Sequence, residues 1–67
     1  MERAANYQIE DRNVNGVDLK ITTYQIGNEY YCHIENKDPG AVIARAEGTD
    51  RNTAKELALV KATKRLH

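Results

Sequence analysis

Gly48-Thr49-Asp50-Arg51-Asn52-Thr53-Ala54-Lys55-Glu56-Leu57-Ala58-Leu59-Val60-Lys61-Ala62-Thr63-Lys64-Arg65-Leu66 is the stretch on which the fold turns. Thr49 and Asp50 are both suited to cap a helix, because a side-chain oxygen there can accept from an otherwise unpaired first-turn N–H. Ala54, Ala58 and Ala62 recur every four residues and so form a row on one face, with Leu57 on one flank and Leu59 and Leu66 on the other. A row of methyl groups lets a helix lie close to a sheet. The spacing therefore predicts one C-terminal helix resting on strands that precede it.

Working back from Gly48, the apolar period changes from that of a helix to alternation. Ala41 to Glu47 carries Val42, Ala44 and Ala46 on one side, the small side that suits the alanine row, and Ile43 and Arg45 on the other. Before it, Asp38-Pro39-Gly40 has proline and glycine where a type II turn needs them. Tyr30, Cys32 and Ile34 alternate with Tyr31, His33 and Glu35 in the next segment back, and Gly27-Asn28 is a tight turn. Val17, Leu19 and Ile21 place the core side of a further strand on odd numbers, yet Tyr24 and Ile26 fall on even ones. Either a bulge near Thr22 and Thr23 shifts the register, or an aromatic side chain stands on the exposed face. Asn15-Gly16 suits the two positive-φ positions of a type I′ turn, so residues 6 to 11, where Tyr7 and Ile9 alternate with polar neighbours, can pair back as an edge strand. A frayed amino terminus is the competing reading of residues 1 to 13.

The expected fold is α+β: an antiparallel meander of three strands, or four if residues 6 to 11 pair, with one C-terminal helix packed on one face. Residues 14 to 67 form this single two-layer β-β-β-α domain, and residues 1 to 13 are a poorly specified segment or an edge strand. The chain has 67 residues, a size that buries only about 60% of the surface exposed by the unfolded chain. One such core rarely supplies more than ~5 kcal/mol, so very regular packing, a partner or a second copy has to help. Its 40% hydrophobic and 30% charged composition is that of a folded chain.

The formal net charge is zero, which removes the bulk electrostatic argument for a nucleic-acid binder; its distribution restores part of it. Residues 1 to 49 hold five basic and eight acidic side chains, whereas residues 50 to 67 hold Arg51, Lys55, Lys61, Lys64 and Arg65 against Asp50 and Glu56. A basic helix on an acidic sheet can orient a protein toward a polyanion. Lys61, Lys64 and Arg65 are equally accounted for by the helix macrodipole, which favours cations near the C-terminus.

Little in the chain speaks for catalysis. Cys32 and His33 are adjacent on a strand and so point to opposite faces, which prevents a nucleophile–base pair made from these two alone. No pair of cysteines or histidines has ligand spacing, no glycine-rich phosphate loop precedes the helix, and no cofactor or metal is expected. One cysteine rules out an internal disulfide and suggests a reducing compartment. With no apolar run of membrane or signal-peptide length, the expectation is a cytoplasmic protein that does not enter a membrane. What the sequence offers instead is a sheet face left bare by the helix, carrying Lys20, Tyr24, Tyr31, His33, Ile43 and Arg45, aromatics interleaved with cations. Polar and aromatic groups on rigid strands make a pre-organised binding surface.

Three family resemblances sharpen this. The run from Gly48 to Ala62 resembles the last strand and second helix of double-stranded-RNA-binding domains, where a glycine, basic residues and an Ala-Lys step precede alanines at this spacing. That resemblance implies that Arg51, Asn52 and Lys55 at the helix start meet phosphates across a groove, helped by the positive helix end. Tyr30-Tyr31-Cys32 with Gly48-Thr49-Asp50-Arg51 and Ala54 is similar to the arm-binding amino-terminal domain of phage-type integrases, which implies a DNA-reading sheet face of Tyr31, His33 and Arg45. Asp38-Pro39-Gly40 and Gly48-Thr49 also resemble HicB-type antitoxins, which implies a protein partner. The reading at this point is a small non-enzymatic binding module. Its leading ligand is double-stranded RNA or DNA, and the alternative is a protein partner or a second copy, antitoxin-like or homo-oligomeric.

Overall fold

The computed structural model describes residues 3–38 and 40–66. Four strands, β1 (Ala5–Val14), β2 (Val17–Ile26), β3 (Glu29–Asn36) and β4 (Val42–Gly48), precede one helix, α1 (Arg51–Arg65). The strands pair antiparallel in sequence order, so β1 and β4 are the edges. Residues 6 to 11 thus belong to a full fourth strand.

Local chemistry explains the turns. Asn15 and Gly16 both have positive φ, 54° and 82°, and Val14 faces Val17 across them, as the type I′ turn requires. Gly27 has φ 60° in the two-residue link between Ile26 and Glu29, the position at which a type II′ turn wants glycine. The type II turn expected at Asp38-Pro39-Gly40 depends on Pro39, which lies outside the described residues. Beside it, Asn36 Oδ1 accepts from the Gly40 and Ala41 amides at 3.3 and 3.0 Å, and the Asn36 amide donates to the Ala41 carbonyl at 3.0 Å.

The register of β2 on β3 runs unbroken from Leu19↔Asn36 to Ile26↔Glu29, so there is no bulge at Thr22 and Thr23. The second possibility holds: Tyr24 stands on the helix-free face. The irregularities lie at the two edges. One falls in β1 between Ala5 and Gln8, where Asn6 has φ 55°. The other falls in β4, where Ile34 faces Ala44 but Glu35 faces Val42. Ile43 is the extra residue there, and the bulge turns it against the core rather than onto the bare face. The same bulge leaves Val42 39% exposed.

The core sits between sheet and helix: Leu19, Ile21, Cys32, Ile34 and Ala44 from the strands, and Ala54, Ala58 and Ala62 from α1. The three helix alanines are at most 1% exposed, so the helix rides close on β3 and β4. Full burial of each of Leu19, Ile21 and Ile34 stabilises the fold by about 1.5 to 3 kcal/mol. Asp50 is the N-cap, accepting from the Thr53 amide at 2.8 Å. Gly48 is required by proximity: a Cβ there would lie 2.9 Å from the Thr53 methyl and 3.1 Å from the Ala54 nitrogen.

Candidate functional site

The two proposed surfaces fare differently. At the helix start, Arg51 Nε donates to Thr23 Oγ1 at 3.2 Å, a terminal nitrogen donates to the Asn6 carbonyl at 2.6 Å, and the guanidinium lies 5.3 Å from the centre of the Tyr30 ring. Lys55 pairs with Glu10. Hydrogen bonding from Lys55 holds the Glu10 carboxyl below its ordinary pKa, with Arg12 acting in the same direction from 2.5 Å. Both cations therefore tie the start of α1 to β1 and β2, where the helix covers the sheet least. Asn52 is exposed beside them.

The helix-free face gathers the other group. Alternation and register bring Lys20, Tyr31, His33 and Arg45 to one side of the sheet, with His33 opposite both Thr22 and Arg45. Tyr24 is the centre of this surface. Its ring stacks on Tyr7 at 5.2 Å and on Tyr31 at 5.6 Å, and meets the His33 ring edge-on at 5.9 Å. Three tyrosines on three successive strands thus form one aromatic row, and Thr22 beneath its neighbours is only 6% exposed. His33 Nε2 lies 3.8 Å from the Glu35 carboxylate.

Tyr7 is the member that reading the sequence missed. Counting outward from the Asn15-Gly16 turn, residue pairs sum to a constant and set Tyr7 against Tyr24, a signal that was present once β1 was taken as a strand.

The charge of this face is mixed. Lys20, Arg45 and Lys37 stand against Asp11, Asp18, Glu35 and Glu47, with Lys37 bound to Asp11 at 2.9 Å. Cys32 lies beneath the sheet in the core, 2% exposed, and burial pushes its thiol up to about 11. Among the described residues no cluster of three or more His, Cys, Asp or Glu side chains is placed to hold a metal ion, and no helix is long and apolar enough to cross a membrane.

Comparison of the chain with protein-family models, with curated proteins and with solved structures yields no match.

Proposed function

We propose that this chain is a non-enzymatic protein-binding module that docks its partner on the helix-free face of the sheet. The observation that carries the reading is the Tyr7–Tyr24–Tyr31 row. Tyrosine supplies large contact area at little entropic cost, and a stack held by three paired strands is already ordered before binding. The rim of mixed charge suits a polar protein surface. It suits a phosphate backbone poorly, because affinity for nucleic acid scales with the number of cations free to neutralise phosphates. Arg51 and Lys55, the cations that the RNA-binding resemblance singles out, are already engaged with Asn6, Thr23 and Glu10.

The test is affinity capture from the producing cells, with and without nuclease, using the wild-type chain and Tyr7→Ala/Tyr31→Ala. A protein partner that survives nuclease and is lost from the double variant, while the variant's fold is retained by circular dichroism, supports the proposal. Capture of nucleic acid alone, or equal capture by the variant, overturns it.

A further inference from the structure

A second surface lies around the corner from the tyrosines, along the free edge of β4. There a depression of about 470 Å³ is lined by Ala46, Leu57 and Tyr31 with Arg45, Glu47 and Lys61, and it continues past Arg45 and Lys61 to Ile43, Lys64 and Arg65. Leu57 is 47% exposed, so the floor of the groove is apolar and open. Four cations border it against the one carboxylate of Glu47 among the lining residues. The macrodipole accounts for Lys64 and Arg65 in the last turn, but Arg45 comes from a different element and joins them through the fold. Arg45, Lys64 and Arg65 have no carboxylate partner among the described residues.

The edge itself is guarded. Lys61 Nζ donates to the Arg45 carbonyl at 3.0 Å, which places that carbonyl on the outward side of β4. Residues two apart in a strand direct their backbone groups to the same side, so Arg45 and Glu47 together offer donors and acceptors to a further strand. A lysine laid over such an edge blunts indiscriminate pairing.

We propose that the groove between β4 and α1 accepts an extended acidic segment of a partner protein, which adds to the sheet as a fifth strand. Its backbone pairs with β4, its apolar side chains lie on Leu57 and Ile43, and its carboxylates meet Arg45, Lys61, Lys64 and Arg65. On docking, Lys61 Nζ leaves the Arg45 carbonyl for a carboxylate of the incoming strand, so the guard becomes part of the recognition. Backbone pairing supplies affinity in such strand addition and side-chain pockets supply the choice of partner. Symmetric pairing of β4 with β4 of a second copy would set these cations against their own counterparts, which like-charge repulsion opposes. This surface meets the tyrosine face at Tyr31 and Arg45, which border both, but it leaves out Tyr7 and Tyr24 and does not depend on the docking proposed there.

The probe is a fluorescent peptide repeating Glu-Glu-Val-Val over the length of β4, so that both residues occur on each face of the added strand, compared with its lysine–valine counterpart and with single-stranded and duplex oligonucleotides. The glutamate peptide should bind with amide shifts along residues 42 to 48 and at Leu57 and Lys61. Lys61→Gln with Lys64→Gln, both at exposed positions, should weaken it by about tenfold or more, and Tyr7→Ala should leave it unchanged. Methylating the peptide amides that face β4 should abolish binding. The proposal is overturned by equal binding of the lysine peptide, by full binding of the methylated peptide, or by an oligonucleotide that displaces the peptide from the groove. Concentration-dependent shifts along β4 without peptide would assign the edge to a second copy and overturn it as well.

Discussion

Arg51 makes three contacts that cross the sheet, and they give its removal a definite cost. Losing a charged donor to Thr23 and to the Asn6 carbonyl, together with the Tyr30 ring, should destabilise the fold by about 1 to 3 kcal/mol. Arg51→Ala should therefore lower Tm by roughly 5 to 20 °C in a domain of this size, measurable by circular dichroism. An unchanged melt would return Arg51 to the role of a free phosphate contact. The carboxylates give a pH dependence of known sign. Lys55 holds the Glu10 pKa down, and the Thr53 amide does the same for Asp50. A depressed folded-state pKa contributes stability that is present above the ordinary carboxylate range and is lost as the pH falls through the lowered value. Melting temperature should fall on acidification through that range, and less steeply in Glu10→Gln. Cys32 reads the other way. With its thiol pushed up to about 11 and 2% exposed, it should resist alkylation near neutral pH at a rate set by unfolding. Rapid modification of the native protein would mean that the core under β3 opens locally.

Packing between α1 and the sheet is what makes the alanine row legible at the level of elements. Ala58→Leu should cost about 1 to 3 kcal/mol by overpacking, and Gly48→Ala should be destabilising because the added methyl meets Thr53 and the Ala54 backbone. Chemical denaturation of the two variants checks both. A helix start, an alanine period and two glycine turns carry local signals strong enough to be read directly, and the helix, β2, β3 and the order of the meander follow from them. β1 was harder to read because its exposed positions break the alternation: Tyr7 and Ile9 are 60% and 62% exposed, on the face no helix covers. The two edge bulges were not legible, because an extra residue in a strand has no composition of its own. That is why Ile43 was expected on the bare face and lies against the core. The assignment of Lys20, Tyr31, His33 and Arg45 to one face survived, since β2 and β3 pair without a slip. The engagement of Arg51 and Lys55 could not be read, because Asn6, Glu10 and Thr23 are distant in sequence and meet them only through the sheet.

For the molecule as a whole, a small core covered by one helix leaves two surfaces of different character: an aromatic face with mixed charge and a basic, apolar-floored groove at the β4 edge. Tyr7 lies on an edge strand and is mostly exposed, so Tyr7→Ala should cost no more than about 1 kcal/mol of stability while weakening the docking proposed for that face. A larger loss by thermal melt would make the row structural. The central claim, that the helix start is consumed by the fold and the tyrosine face takes a protein, is tested most directly by titrating the isotope-labelled chain. The titrants are duplex RNA, duplex DNA and single strands at two salt concentrations, with amide shifts as the readout. The account predicts unmoved amides at Arg51, Asn52 and Lys55 and across Tyr7, Tyr24 and Tyr31. Shifts there that shrink steeply as salt rises would contradict it, because that dependence is the mark of released counterions and of phosphates held by those residues.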